Sequence, residues 1–336
     1  MTVTVKLLTT IIFCLVVDAK VQNHTCVPSS FRGVCVLEYI FYHPSNTTSH
    51  IFPTGYPLIR VHNNWWMRGA RSVISHFDAK LYNQLGQPAA VEMISVYMNS
   101  LEIPHSLQQA NFAENAIDRF TIEAGTGEPS LSSLDLSSNH ISDLANISSL
   151  TNLEFLYLAA NQITTIDKRI LEPLIKLKYL NLNNNKLVQL SLGAIPQSLI
   201  FLWLYYNEIS VISYDSPTTL HFLEVFNIEG NELKTLDGSA LIQAMPRLRI
   251  VSFGDNKLDR NSVSEAIDIL KRYNVSFSPV NEGDSVNCDN HIERVCLNEQ
   301  LMENSWLKAA LLSLLTVATG SAFVWIVWRV FLAMNK

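Results

Sequence analysis

The sequence predicts an α/β repeat solenoid: a horseshoe with a parallel β-sheet on its concave face, disulfide-stapled ends and one C-terminal transmembrane helix. Three observations carry this reading. A pattern of alternating apolar residues closed by an asparagine recurs along the middle of the chain. Cysteines stand in one pair before that array and one pair after it. Long apolar runs occupy both ends of the chain.

The array is the most specific feature. LEFLYLAANQI starts at Leu153, and its pattern returns as LSSLDLSSNHI from Leu131, LKYLNLNNNKL from Leu177 and LIFLWLYYNEI from Leu199. LEVFNIEGNEL from Leu223 and LRIVSFGDNKL from Leu248 complete it. The closing residues are Asn139, Asn161, Asn185, Asn207, Asn231 and Asn256, spaced by 22, 24, 22, 24 and 25. This is the leucine-rich repeat signature. Apolar residues two apart, such as Leu156 and Leu158, share one face of a strand. One copy cannot bury them alone, so stacked copies build a continuous core. The asparagine falls where the chain leaves the strand, and a buried carboxamide there must find partners on neighbouring backbone. Leu144, Ile147 and Leu150, then Ile166, Leu171 and Leu174, supply the inward residues of the returning convex segments.

Before the array the pattern loosens. Residues 1–19 carry Lys6, an apolar run from Leu7 to Val17 and Ala19 at the cleavage position, the anatomy of a secretory signal peptide. Residues 20–90 read as an N-terminal cysteine-bearing cap and an irregular early segment. VEMISVYMNSL at 91–101 restores the pattern, with Val91, Ile94, Val96, Asn99 and Leu101 in register. IDRFTIEAG at 117–125 matches its first half, so one degenerate copy is expected between Asn99 and Asn139. The repeats are accordingly expected over 91–258.

After the array, 259–306 reads as a helical, cysteine-bearing cap with a short stalk. Val263, Ile267 and Leu270 recur at helical spacing, with Ser262 as N-cap and Glu265 completing a capping box. Residues 307–330 form the membrane span: Ala309 to Trp328 carries no charge and is long enough for a bilayer core at about 1.5 Å per residue. Trp306, Trp325 and Trp328 stand near the interfaces, and Arg329 and Lys336 mark the cytoplasmic side. Contact with membrane lipid is expected through this helix alone. The rival is a lipid-anchor signal processed near Asn304 and Ser305, against which bulky Trp306 and the two basic residues count. The tail, 331–336, is too short to hold a domain.

Cys14 leaves with the signal. Cys26, Cys35, Cys288 and Cys296 remain, an even set in a secreted chain. Of three connectivities the simplest pairs Cys26 with Cys35 and Cys288 with Cys296. Asn23, Asn46, Asn146 and Asn274 begin glycosylation sequons.

On a strand with its leucines inward, the intervening residues face out. Phe155 and Tyr157, Tyr179, then Phe201, Trp203 and Tyr205 concentrate aromatics in the middle of the array, where exposed contiguous aromatics mark an interface. Cross-strand packing is the competing explanation. The first regular repeat offers Ser133, Asp135 and Ser137 instead. No Gly-rich phosphate loop, paired-carboxylate motif or nucleophile elbow appears, His62 and His140 read as ordinary polar residues, and no enzyme, cofactor or metal site is expected. A net charge of −6 offers no basic patch for nucleic acid. Mean hydropathy of +0.15 suits one span beneath a large folded ectodomain.

With its signal peptide, early cysteine pair, irregular first repeats and cysteines after the array, the chain resembles the leucine-rich repeat immune proteins of mosquitoes. It departs from the main members in having no C-terminal coiled coil and in carrying a span, which places it with the coil-less or transmembrane type. The resemblance implies an extracellular role in innate defence, while the signal and span place the chain in the plasma membrane, N-terminus outside. The partner would be an extracellular protein or a pathogen-surface ligand, with a membrane co-receptor transmitting any signal. The alternative is a cell-adhesion or developmental surface protein with a cellular partner.

Overall fold

The computed structural model describes residues 21–27, 31–46, 48–63, 72–125, 127–214 and 219–278. Its main feature is a single eleven-stranded sheet in which every strand pairs in parallel with its successor along the chain. The strands are β1 (Val34–Leu37), β2 (Leu58–His62), β3 (Ala90–Ile94), β4 (Gln109–Asn111), β5 (Ser133–Asp135) and β6 (Phe155–Tyr157). They continue as β7 (Tyr179–Asn181), β8 (Phe201–Trp203), β9 (Val225–Asn227), β10 (Ile250–Ser252) and β11 (Ser276–Ser278). Short parallel strands and helical turns close the other side. Among them are α1 (Ala79–Gln84), α2 (Lys168–Leu171), α3 (Gly238–Ala244) and the longer α4 (Arg260–Arg272).

Each repeat is uniform because its core residues stack in rows. Leu134, Leu156, Leu180, Leu202, Phe226 and Val251 are consecutive partners across the sheet and wholly buried. The asparagines form the expected ladder. Asn185 Nδ2 donates to Leu158 O at 2.9 Å in the preceding repeat and Leu182 O at 3.0 Å in its own, while its Oδ1 accepts from Ile163 N at 3.0 Å. Asn139, Asn161, Asn207, Asn231 and Asn256 repeat this arrangement. Immediately before each stands a residue in the left-handed region: Ser138, Ala160, Asn184, Tyr206, Gly230 and Asp255. That inversion turns the chain out of the strand and aims the carboxamide inward.

The sheet is longer than 91–258. It starts at β1, inside 20–90, and ends at β11, beyond α4. In the early strands Cys35 and Leu37, then Ile59 and Val61, provide the buried pair, and buried Ile40 stands where a ladder asparagine would. With Cys35, Ile59 and Val61 in place of leucines and Ile40 in place of the first asparagine, these copies escape a consensus reading. α4 is therefore not a terminal cap but the return leg to one more strand. Its N-cap is Asp259, whose carboxylate accepts from Ser262 N; the Ser262 hydroxyl instead bonds Leu236 N at 2.7 Å.

Two further corrections concern 91–125. Pairing of Ala110 with Val91 and with Leu134 sets the register. It makes Val91 equivalent to Leu156, puts buried Val96 at the asparagine position and leaves Asn99 off the ladder. The intervening copy is LQQANFAENAI at 107–117, closed by Asn115, which accepts from Val96 N and Met98 N and donates to Met93 O. IDRFTIEAG is not a concave strand. Its Phe120–Ile122 pairs with Ser100–Ile103 in a separate three-stranded sheet with His76–Phe77.

Cys26 and Cys35 are bonded, as the sequence suggested. Cys288, Cys296, the 1–19 signal segment and the 307–330 span lie outside the described residues. No described helix is long and apolar enough to cross a membrane.

Candidate ligand-binding face

Register fixes the aromatic columns. Phe155, Tyr179 and Phe201 are direct partners on β6, β7 and β8, and Tyr157, Asn181 and Trp203 form the next column. Tyr157 and Tyr179 ring centroids lie 4.8 Å apart, Tyr179 and Trp203 5.3 Å edge-on, and Trp203 and Tyr205 6.5 Å. Tyr206 continues the group at 5.4 Å from Tyr205. Such tilted and edge-to-face pairs each contribute beyond area burial, at about 0.5–1.5 kcal/mol.

The six aromatics do not play one role. Tyr179 is only 5% exposed, the floor on which its neighbours rest. Burial, then the neighbouring Tyr157 and Tyr205, push its hydroxyl well above the ordinary phenol range. Tyr157, Trp203 and Tyr205 are half-buried and present ring surface. These four line a concave trough of about 430 Å³. Phe155 and Phe201, also half-buried, flank the cluster without lining the trough.

The trough extends where the sequence reading did not follow it. Ser133, Asp135 and Ser137 of the preceding repeat line its other half, with Glu92 and Glu114 further along. No lysine or arginine lines it. Glu92 is neutralised in place by Arg60 at 2.5 Å, with His62 at 3.4 Å. Burial alone would raise the Glu92 carboxyl, but hydrogen bonds from His62 and Arg60 and their charges outweigh it and hold the carboxyl low. Glu114 accepts the Ser95 hydroxyl at 2.6 Å. Asp135 Oδ1 accepts from Ser137 N at 2.9 Å, and burial raises its carboxyl above the usual range. Alternation along the strands reveals these residues, and register sets Asp135 beside Tyr157 and Ser133 beside Phe155.

No group of side chains among the described residues has the geometry of a metal site. Asn23, Asn46, Asn146 and Asn274 are all exposed, and none lies on a concave strand.

Stacked parallel strands and an asparagine ladder define the leucine-rich repeat fold. Sequence models described as Leucine Rich repeats (2 copies) and Leucine rich repeat match residues 129–170 and 151–197. Among solved structures the chain is similar to the APL1 leucine-rich repeat domain, at 18% identity and a TM-score of 0.53, over 70% of this chain and 65% of that one. It is also similar to the leucine-rich repeat domain of APL1B, at 16% identity and a TM-score of 0.51, over 74% and 70%. At this identity the likeness is one of fold, and the chain spans about two thirds of the APL1 domain's length. No curated protein matches the sequence.

Proposed function

We propose that this chain is a cell-surface recognition protein or co-receptor of innate immunity, binding a protein or pathogen-surface ligand in the concave trough. The observation that carries the proposal is the partly exposed aromatic surface of Tyr157, Trp203 and Tyr205, held over a buried Tyr179 floor. Rigid aromatics in a preformed concavity bring large contact area at little conformational cost, which is why they dominate binding hot spots. The placement of all four sequon asparagines off the concave strands supports a face kept free of glycans. The fold-level likeness to APL1 and APL1B supports protein recognition, and the apolar segments at 7–17 and 309–328 support a secreted N-terminus and a single span.

Two experiments test this. Surface protease on intact cells expressing the full chain should remove the repeats, and glycosidase should lower the apparent mass; protection of the repeats would contradict the topology. Cells displaying the full chain should capture a protein or microbial-surface partner that cells displaying the Tyr157→Ala/Trp203→Ala variant do not. Capture unaffected by the double substitution would remove the trough from the account.

A further inference from the structure

Asp135 carries a charge that its structural task does not need. On four of the concave strands the last residue bonds the backbone two positions on. Asn111 accepts from Ala113 N at 3.0 Å, Asn181 from Asn183 N at 3.0 Å and Asn227 from Glu229 N at 3.0 Å. Asp135 makes the same bond to Ser137 N at 2.9 Å. Three sister repeats thus do this with a neutral carboxamide, and only β5 uses a carboxylate. The price of that choice is visible in its raised carboxyl and in the absence of any salt-bridge partner for it among the described residues. Its neighbours in register are Asn111 and Tyr157, and its charge bears on Tyr157 and Tyr179. A partly buried carboxylate without an ion-pair partner among the described residues therefore stands at the edge of an aromatic floor, its charge reinforced by Glu114, in a trough that no lysine or arginine lines.

We propose that the trough takes an arginine side chain of a protein partner, its guanidinium lying over Tyr157 and Trp203 and paired with Asp135. A guanidinium is the cation best matched to both halves: it stacks on aromatic faces and bonds a carboxylate through two parallel N–H donors. Lysine offers a more strongly hydrated point charge and fits the flat rings less well. This inference rests on the trough being the binding face, and it adds the chemistry of what enters.

The test uses the purified full chain and three fluorescein-labelled peptides, acetyl-Gly-Ser-Gly-X-Gly-Ser-Gly-amide with X as arginine, its neutral isostere citrulline, or glutamate. Anisotropy should show the arginine peptide binding about tenfold tighter than the citrulline twin, and the glutamate peptide weakest. Asp135→Asn should erase the arginine preference without lowering the melting temperature, because asparagine already makes this turn in three repeats. Trp203→Ala should weaken the arginine peptide. Equal binding of arginine and citrulline, or a preference surviving Asp135→Asn, overturns the proposal. If both peptides bind equally and Trp203→Ala abolishes both, the binding face stands and only its charge selectivity falls. If no peptide binds the wild type, the arginine proposal falls; the face falls with it only where partner capture also survives loss of Tyr157 and Trp203.

Discussion

Asn185 shows how much one side chain can carry in a repeat fold. Its carboxamide joins two repeats through Leu158 O and Ile163 N and braces its own strand through Leu182 O. Asn185→Ala strands buried backbone groups, each at about 1–3 kcal/mol. A loss of about 3 kcal/mol or more is expected in chemical denaturation, whereas loss of the half-exposed Phe155 ring should cost less. Asp135 gives a second test, with a definite sign. Its carboxyl is raised in the folded state, so the folded protein binds a proton more tightly there than the unfolded chain. The charge costs nothing below the unfolded carboxylate range, near 4. The cost grows as pH rises and is complete above the raised folded value. Asp135→Asn should therefore raise the melting temperature at neutral pH and leave it unchanged at the acid end. A variant less stable than wild type at neutral pH would show that the charge is paired.

At the scale of the repeat, the backbone inversion before the asparagine is the constraint that residue patterns do not display. Most copies place an ordinary residue there, but Gly230 has no alternative. A Cβ on it would stand 2.4 Å from the Tyr206 ring, in a backbone at φ +63°. Gly230→Ala should cost more than the about 1–2 kcal/mol of the left-handed conformation alone, because the clash adds to it. It should also displace Tyr206, and with it the outer edge of the aromatic group. An unchanged denaturation midpoint would contradict this. The same scale explains what could be read in advance. From Leu131 to Leu258 leucine and asparagine recur together, so strands, register and ladder follow from the pattern. At 91–101 the residues satisfy two registers three apart, since Val91, Met93, Val96 and Met98 alternate as well as Val91, Ile94, Val96 and Leu101. Pairing with β4 decides between them, and that is a tertiary fact. The aromatic columns were legible from strand alternation. The burial of Tyr179 was not, because it depends on how the neighbouring rings pack, whereas the place of Asp135 beside Tyr157 follows from the same register.

Across the whole molecule, the parallel sheet converts a one-dimensional list of repeats into one continuous face. Its composition changes along the array, from carboxylates and small polar residues on β3 to β5 to aromatics on β6 to β8. The trough lies across that change, and in the proposed function its floor and walls bind the partner. The most direct test is the affinity of the captured partner for Trp203→Ala and Phe155→Ala, each with its melting temperature. Trp203→Ala should lose about thirtyfold or more, near 2 kcal/mol, with little change in melting temperature, while Phe155→Ala outside the trough binds almost as wild type. Full affinity in Trp203→Ala, with stability lost instead, would mean that the aromatics serve only to pack the sheet.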